Sequence, residues 1–264
     1  MTPATVKVMI LRTAGTNCDR ETAHAFEVFG ARPVFVHVKH LLDRSVDLGD
    51  YHILALPGGF TYGDDIESGR ILANELRLKL GGALGDFIGD KKLIIGICNG
   101  FQVLVKSGIL PGSKSGTGAQ SVTLTSNDSG KFEDRWVHLE PRGDSVWIKG
   151  LEPVVYLPVA HAEGKFVAGA AALQELNSGG QVAFRYVSAA GRLPVYPDNP
   201  NGSNEHIAGI TDPTGRVLGL MPHPERHFYR THHPFWTRLP GRDIYGQGAR
   251  IFKNGVEYVK ENLL

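Results

Sequence analysis

Short apolar runs rich in β-branched residues alternate with helix-length segments through the first half of the chain: VKVMIL, DRETAHAFEVFG, PVFVHV, YHILALPGG, a charged helical stretch, then KKLIIGIC. Runs that are apolar without a break need cover on both faces, and the segments between them are long enough to cross from strand to strand. The pattern therefore predicts a parallel sheet wrapped by helices. The first helix is punctuated at both ends, with Thr16 or Asn17 as N-cap, Asp19 and Glu21 in its first turn and Gly30 just past its end. Cys18 falls at its start. From about Ser113 to Gly219 the pattern changes to short strand-like segments, RWVHLE, VVYLPVA, QVAFRYV and RVLGLMP, separated by Gly, Pro and Asn. These predict an antiparallel extension of the same sheet, so residues 1–264 are expected to form a single domain. In the tail, Phe252, Val256, Val259 and Leu263 follow helical spacing and predict one apolar helix face.

With 42% hydrophobic residues in 264, the chain can bury an extensive core. Its 28 Lys and Arg balance 27 Asp and Glu, which leaves no electrostatic footprint for nucleic acid or an anionic membrane. The two cysteines, Cys18 and Cys98, lie far apart, and VKVMILRT reads as a strand rather than a secretory leader, so a reducing cytoplasm is expected. Apolar runs such as LIIGI fall well short of the roughly 20 residues of a membrane-spanning helix. NDS at Asn127 and NGS at Asn201 read as loop sequence in such a compartment.

LIIGICNGFQVL places Cys98 directly after a buried-type strand and ahead of a helical run, with Gly96 and Gly100 on either side. That is the composition of a nucleophile elbow, in which a sharp turn exposes the nucleophile above the sheet and the next helix points its positive end at it. A small buried structural cysteine is the competing reading, and the flanking glycines favour the nucleophile. Cys18 lacks them and reads as structural.

A thiolate needs a base. In GLMPHPERHF, Pro224 biases His223 toward extended backbone, where residues two apart project to the same side. Glu225 can then hold one imidazole nitrogen while the other faces the sulfur, a triad of Cys98, His223 and Glu225. The four histidines between 223 and 233 could also suggest a metal. Pro224 breaks any helical i, i+4 pair and no further cysteine is close by, so no metal is expected. In LALPGGFTYGD, Gly58 and Gly59 allow close backbone approach to a ligand, and their N–H groups with that of Asn99 could form an oxyanion hole. SKSGTGAQ lacks a full GxGxxG and PGSKS lacks the Walker glycine, so nucleotide binding gains no support.

Taken in order, PGGF, GICNGFQ and MPHPER resemble a class I glutamine amidotransferase. AGTNCDRET, GGFTYGDD, CNGFQVLVKSGILPG, TSNDSGKF with Arg135, PVAHAEGKF, and NPNGS ahead of IAGITD resemble the branch of that family that serves de novo purine synthesis. The resemblance implies a three-layer α/β sandwich like flavodoxin, with Cys98 as nucleophile and His223 and Glu225 completing the triad. Gly59 and Asn99 become oxyanion donors, and Gly58, Gln102, Asn127 and Phe132 the substrate pocket. It further implies glutamine as substrate, no cofactor in this chain, and ammonia delivered to a synthetase partner that uses ATP and magnesium, with a small bridging subunit. A catalytically silent binding subunit and a different cysteine hydrolase on the same fold stand as alternatives. PVAHAEGKF also matches, and His161 and Glu163 read as buried, hydrogen-bonded structure. Two segments depart from the family. Asp65, Ile66, Glu67 and Ser68 stand where a tyrosine, leucine and arginine usually follow GGFTYGD, and HFYRTHHPFWTRLPGRDIYGQ runs on past Arg226. Asp64 to Arg70 and His227 to Gln247 are therefore expected partner surfaces, the latter alternatively an added helix packed on the sheet.

Overall fold

The computed structural model describes residues 5–64, 69–112 and 120–264. Its first half alternates as the sequence predicts: β1 (Lys7–Arg12), α1 (Asp19–Glu27), β2 (Arg32–His37), the short α2 (Val38–Leu42), β3 (Ile53–Leu56), α3 (Arg70–Gly89), β4 (Leu93–Ile97) and α4 (Asn99–Lys106). Every residue of β3 and β4 is buried, as two-sided cover requires, whereas β2 is partly exposed at the sheet edge. The second half contributes β5 (Val122–Thr125), β6 (Glu133–Pro141), β7 (Val155–His161), β8 (Lys165–Ala168), α5 (Ala170–Ser178), β9 (Val182–Val187), β10 (Ile207–Thr211), β11 (Val217–Leu220) and α6 (Ala249–Asn262).

One sheet runs β2-β1-β3-β4-β11-β10-β9-β6-β7, and β5 pairs with β8 in a separate ribbon. The first five strands are parallel neighbours and the remaining pairings are antiparallel. RVLGL, expected in the antiparallel extension, instead pairs in parallel with β4 from Val217↔Ile94 to Leu220↔Ile97. The cause is a tight β10–β11 hairpin, where Asp212 Oδ1 accepts the N–H groups of Arg216 (3.0 Å) and Val217 (2.9 Å) and returns the chain to the parallel core. That return carries the segment after Leu220 to the strand end beside Cys98.

Right-handed crossovers that leave β1 in one direction and β3 in the other put their helices on opposite faces. Accordingly α1 packs with α6 and α3 with α4. Phe26 of α1 meets Phe252 of α6 edge to face at 5.1 Å, and Phe252, Val256 and Val259 form the apolar face read from the tail. No helix among the described residues is long and apolar enough to cross a membrane.

Candidate active site

In a doubly wound sheet, ligands meet the carboxyl ends of the parallel strands at the point where strand order reverses, here between β1 and β3. The residues singled out in the sequence gather at this end of the sheet, one step along from the reversal, after β3, β4 and β11. Cys98 is the single residue between β4 and α4 and has φ 52°, ψ −106°, a left-handed conformation that costs a non-glycine residue about 1–3 kcal/mol. Packing holds it in place. Its N–H donates to Leu220 O at 2.8 Å, and α4 lies so close to β3 that a Cβ on Gly100 would sit 2.0 Å from Leu56 O. The sulfur is nearly buried, 3.7 Å from Ala160 O, at the positive end of α4.

His223 follows β11 in extended backbone, φ −104°, ψ 90°, with its N–H on Pro158 O at 2.8 Å. Glu225 is not extended as expected. Pro224 starts a single 3-10 turn, Pro224–His227, and the turn swings the carboxylate back so that Oε1 lies 2.6 Å from His223 Nδ1. Both side chains are buried. Burial by itself would lower the proton affinity of His223. The Glu225 carboxylate, then the Cys98 and Cys18 sulfurs, outweigh it and hold the imidazole well above its usual range.

Gly59 takes φ +141° and bridges Thr16, a conformation open to glycine, while Gly58 lies against the histidine: a Cβ there would be 2.7 Å from His223 Cε1. Asn99 Oδ1 accepts from Thr61 Oγ1 at 2.7 Å, and Asn99 Nδ2 donates to Gln102 Oε1 at 3.0 Å. Gln102 Nε2 in turn donates to Glu163 O at 2.5 Å. Asn127 spends its whole amide on protein, donating to Lys131 O and His161 O and accepting from Gly164 N and His161 Nδ1. Gln102 and Asn127 thus fix the 161–164 loop beside the elbow. Phe132 stands half exposed at the start of β6.

Two residues missed in the sequence belong to this cluster. A Cβ on Gly58 would lie 3.3 Å from Cys18 Sγ as well as against His223, so the sulfur adjoins the imidazole, and Arg226 Nη2 donates to that sulfur at 3.1 Å. No spacing in the sequence signals this, because β1 and β11 become neighbours of the site only through the sheet. Among the described residues, Cys18, His223 and Glu225 are the one group with metal-ligand spacing. Glu225 Oε1 is taken by His223 Nδ1 and the Cys18 sulfur by Arg226, whose guanidinium already brings a positive charge to the group. The departure at Asp65, Ile66, Glu67 and Ser68 and most of SKSGTGAQ lie outside the described residues. The run after Arg226 is no added α-helix: it forms 3-10 turns at Arg230–His232 and Trp236–Arg238, and a Tyr229↔Tyr245 bridge closes it. It borders a cleft of about 600 Å³ lined by His138, Tyr156, His233 and Phe235, away from Cys98.

His161 is a further buried imidazole beside the site, as His227 is in the turn after His223. Since both Asn127 N–H groups go to carbonyls, Asn127 Oδ1 must accept, so Nδ1 of His161 carries the proton and Nε2 is a buried lone pair without a partner. Burial, then the neighbouring His223, pushes it down to about 4. The unfolded chain therefore binds a proton that the fold does not, and stability present above the unfolded value is lost as pH falls toward the folded one. His161→Gln should lose less stability than wild type between pH 7 and pH 4.5, by on the order of 2 kcal/mol in urea unfolding. Equal acid losses in both proteins would contradict the buried neutral imidazole. His223 acts in the opposite sense and is present in both, so the difference isolates His161.

A parallel core of flavodoxin-like order, with a left-handed cysteine at one strand end and a buried His–carboxylate pair at the next, defines the α/β class to which the class I glutamine amidotransferases belong. The profile of the CobB/CobQ-like glutamine amidotransferase domain matches residues 5–259. The chain is 47% identical over 259 residues to a Dehalococcoides mccartyi protein named phosphoribosylformylglycinamidine synthase subunit PurQ, covering 97% of this chain and 98% of that one. It is 40% identical to a protein of the same name from Methanococcus maripaludis, covering 96% and 97%. Among solved structures it resembles a chain of PurLQS from Thermotoga maritima, with 32% identity, a TM-score of 0.74 and coverage of 97% and 100%. A further Thermotoga maritima glutamine amidotransferase, 16% identical with a TM-score of 0.53 over 84% of this chain and 77% of that one, shares the fold. The chain belongs to the CobB/CobQ-like glutamine amidotransferase family, among its PurQ members.

Proposed function

We propose that this chain is the glutaminase of a phosphoribosylformylglycinamidine synthase and supplies ammonia for purine synthesis through Cys98, His223 and Glu225. The observation that carries the reading is the elbow cysteine poised beside an imidazole that its carboxylate keeps protonated. A thiolate on Cys98 attacks the carboxamide carbon of glutamine, and the oxyanion faces the N–H groups of Gly59 and Asn99. His223 gives its proton to the departing nitrogen, and ammonia leaves with glutamyl thioester on the sulfur. Water, deprotonated by the same imidazole, then attacks the thioester, restoring the thiol and releasing glutamate. Glu225 orients the ring and balances its charge through both steps. Gly58 lets His223 close on the site, Gln102 and Asn127 shape the pocket wall, and Phe132 stands at its rim. The chemistry needs no metal or cofactor in this chain.

Residues 1–264 act as one domain in this reading, supported by a sheet to which both halves of the chain contribute. ATP and magnesium belong to the synthetase partner, and a small bridging subunit completes the assembly, as the name PurLQS of the Thermotoga relative suggests. The two free thiols fit a cytoplasmic setting.

Ammonia released without an acceptor wastes glutamine, so the partner is expected to switch the site on by binding its aligned state more tightly. Glutamate release by the purified chain should rise on the order of 10- to 100-fold on adding purified synthetase at matched salt. No glutamate under either condition would remove the glutaminase reading, and full activity from the isolated chain would remove the switch.

A further inference from the structure

Cys18 takes no step in the chemistry above, yet it is buried beside both residues of the acid–base pair: its sulfur, a ring nitrogen of His223 and a carboxylate oxygen of Glu225 lie within 4.8 Å of one another. The thiol donates to Asn17 Oδ1 at 3.2 Å and accepts from Arg226 Nη2 at 3.1 Å, and the same sulfur lies against the His223 ring. Arg226 is the residue directly after Glu225, and Glu225 Oε2 is buried without a partner. A guanidinium and a carboxylate form two parallel charge-assisted bonds where geometry allows, stronger than a single imidazole bond. Left free, Arg226 would compete with His223 for Glu225.

We propose that Cys18 is a positioning residue of this site, whose sulfur anchors the Arg226 guanidinium away from Glu225 and so leaves the carboxylate on His223 Nδ1. The inference rests on the reading of His223 and Glu225 as the acid–base pair. The backbone fits the role, since the N–H groups of Asn17 and Cys18 both reach Gly58 O, tying the entry of α1 to the glycine that touches the histidine ring. The groups that face His223 are Glu225 from its own turn, Cys98 from the β4–α4 elbow, Cys18 from the α1 entry and His161 from β7. Arg226 is the cation adjoining this set.

The test compares wild type, Cys18→Ala, Cys18→Ser and Cys18→Ala/Arg226→Met as full chains, assayed with the synthetase for glutamate release and by NMR titration of the labelled His223 ring. Cys18→Ala should lower kcat about tenfold with KM within about twofold, and should shift the His223 titration to lower pH, in part through loss of the sulfur itself and in part because the carboxylate has moved to Arg226, the part that the double variant isolates. Removing the competing cation in the double variant should return both the rate and the titration toward wild type. Serine keeps an acceptor and should fall within about threefold of wild type. A Cys18→Ala protein with wild-type kcat and titration overturns the proposal, as does a double variant no better than the single one, or serine as impaired as alanine. If the wild type releases no glutamate, the glutaminase reading falls while the NMR titrations still decide the role of Cys18.

Discussion

Cys98→Ala should abolish glutamine-dependent synthesis by the assembled synthetase, a loss of at least about 10³-fold, and leave synthesis from added ammonium salts within about twofold of wild type. The asymmetry follows from where the sulfur sits. The sulfur's contact with Ala160 O, at 3.7 Å, is long and weak, and the elbow is held by the Cys98 N–H on Leu220 O and by the packing of α4 on β3, which alanine retains. The variant should therefore fold and bind its partner while lacking the atom that forms the thioester. Turnover would be followed with glutamine and then with ammonium chloride as the nitrogen source. Unchanged glutamine-dependent turnover would end the assignment of Cys98, and loss of both activities would place the residue in the partner's chemistry.

The parallel core was legible because its strands are apolar on both faces and its helices carry clear ends. The elbow at Cys98 was legible because such a turn leaves a local mark, a cysteine between glycines where strand gives way to helix. His223 and Glu225 left a mark through Pro224, although the turn that joins them is a 3-10 turn rather than extended chain. What stayed hidden was what the sheet alone brings together. RVLGL reads like its antiparallel neighbours, and only the Asp212 hairpin sends it to β4. Cys18 and Arg226 are 208 residues apart and meet because β1 and β11 both end at the site. Asn127 was expected to face substrate, yet its amide is saturated by the chain itself, a fact that depends on four partners from separate turns.

The long run after Arg226 illustrates the same limit. Its aromatic residues read as a surface or a helix. In the fold they are pinned by stacking on what precedes them: Tyr245 lies 5.3 Å from the Phe29 ring, and His233 lies 5.3 Å from Tyr156 of β7. Phe235, Trp236 and Ile244 remain exposed and leave apolar surface on this segment. His227 Nδ1 donates to Tyr156 O at 2.7 Å, which ties the turn that carries Glu225 to β7 at the base of this segment.

Gly100→Ala should destabilise the protein by about 3 kcal/mol or more and lower kcat on the order of 10²-fold, although alanine is the better helix former by about 1 kcal/mol. The position is the second residue of α4, where the helix passes over β3. An added Cβ would lie 2.0 Å from Leu56 O, 2.7 Å from Leu56 C and 2.9 Å from Leu56 Cβ, none of them the free end of a flexible side chain. Relief requires α4 to lift from the sheet by about an ångström, and Cys98 and Asn99 must move with it, a displacement large enough to cost about 10²-fold in a positioned reaction. Gly82→Ala supplies the contrast, since it lies inside α3 with nothing within 4 Å of the new Cβ and should stabilise the protein by about 0.5–1 kcal/mol. Urea unfolding and partner-stimulated glutamate release would be measured for both. A Gly100→Ala protein as stable as wild type would mean that the close approach of α4 to β3 is not what holds Cys98 in its left-handed conformation.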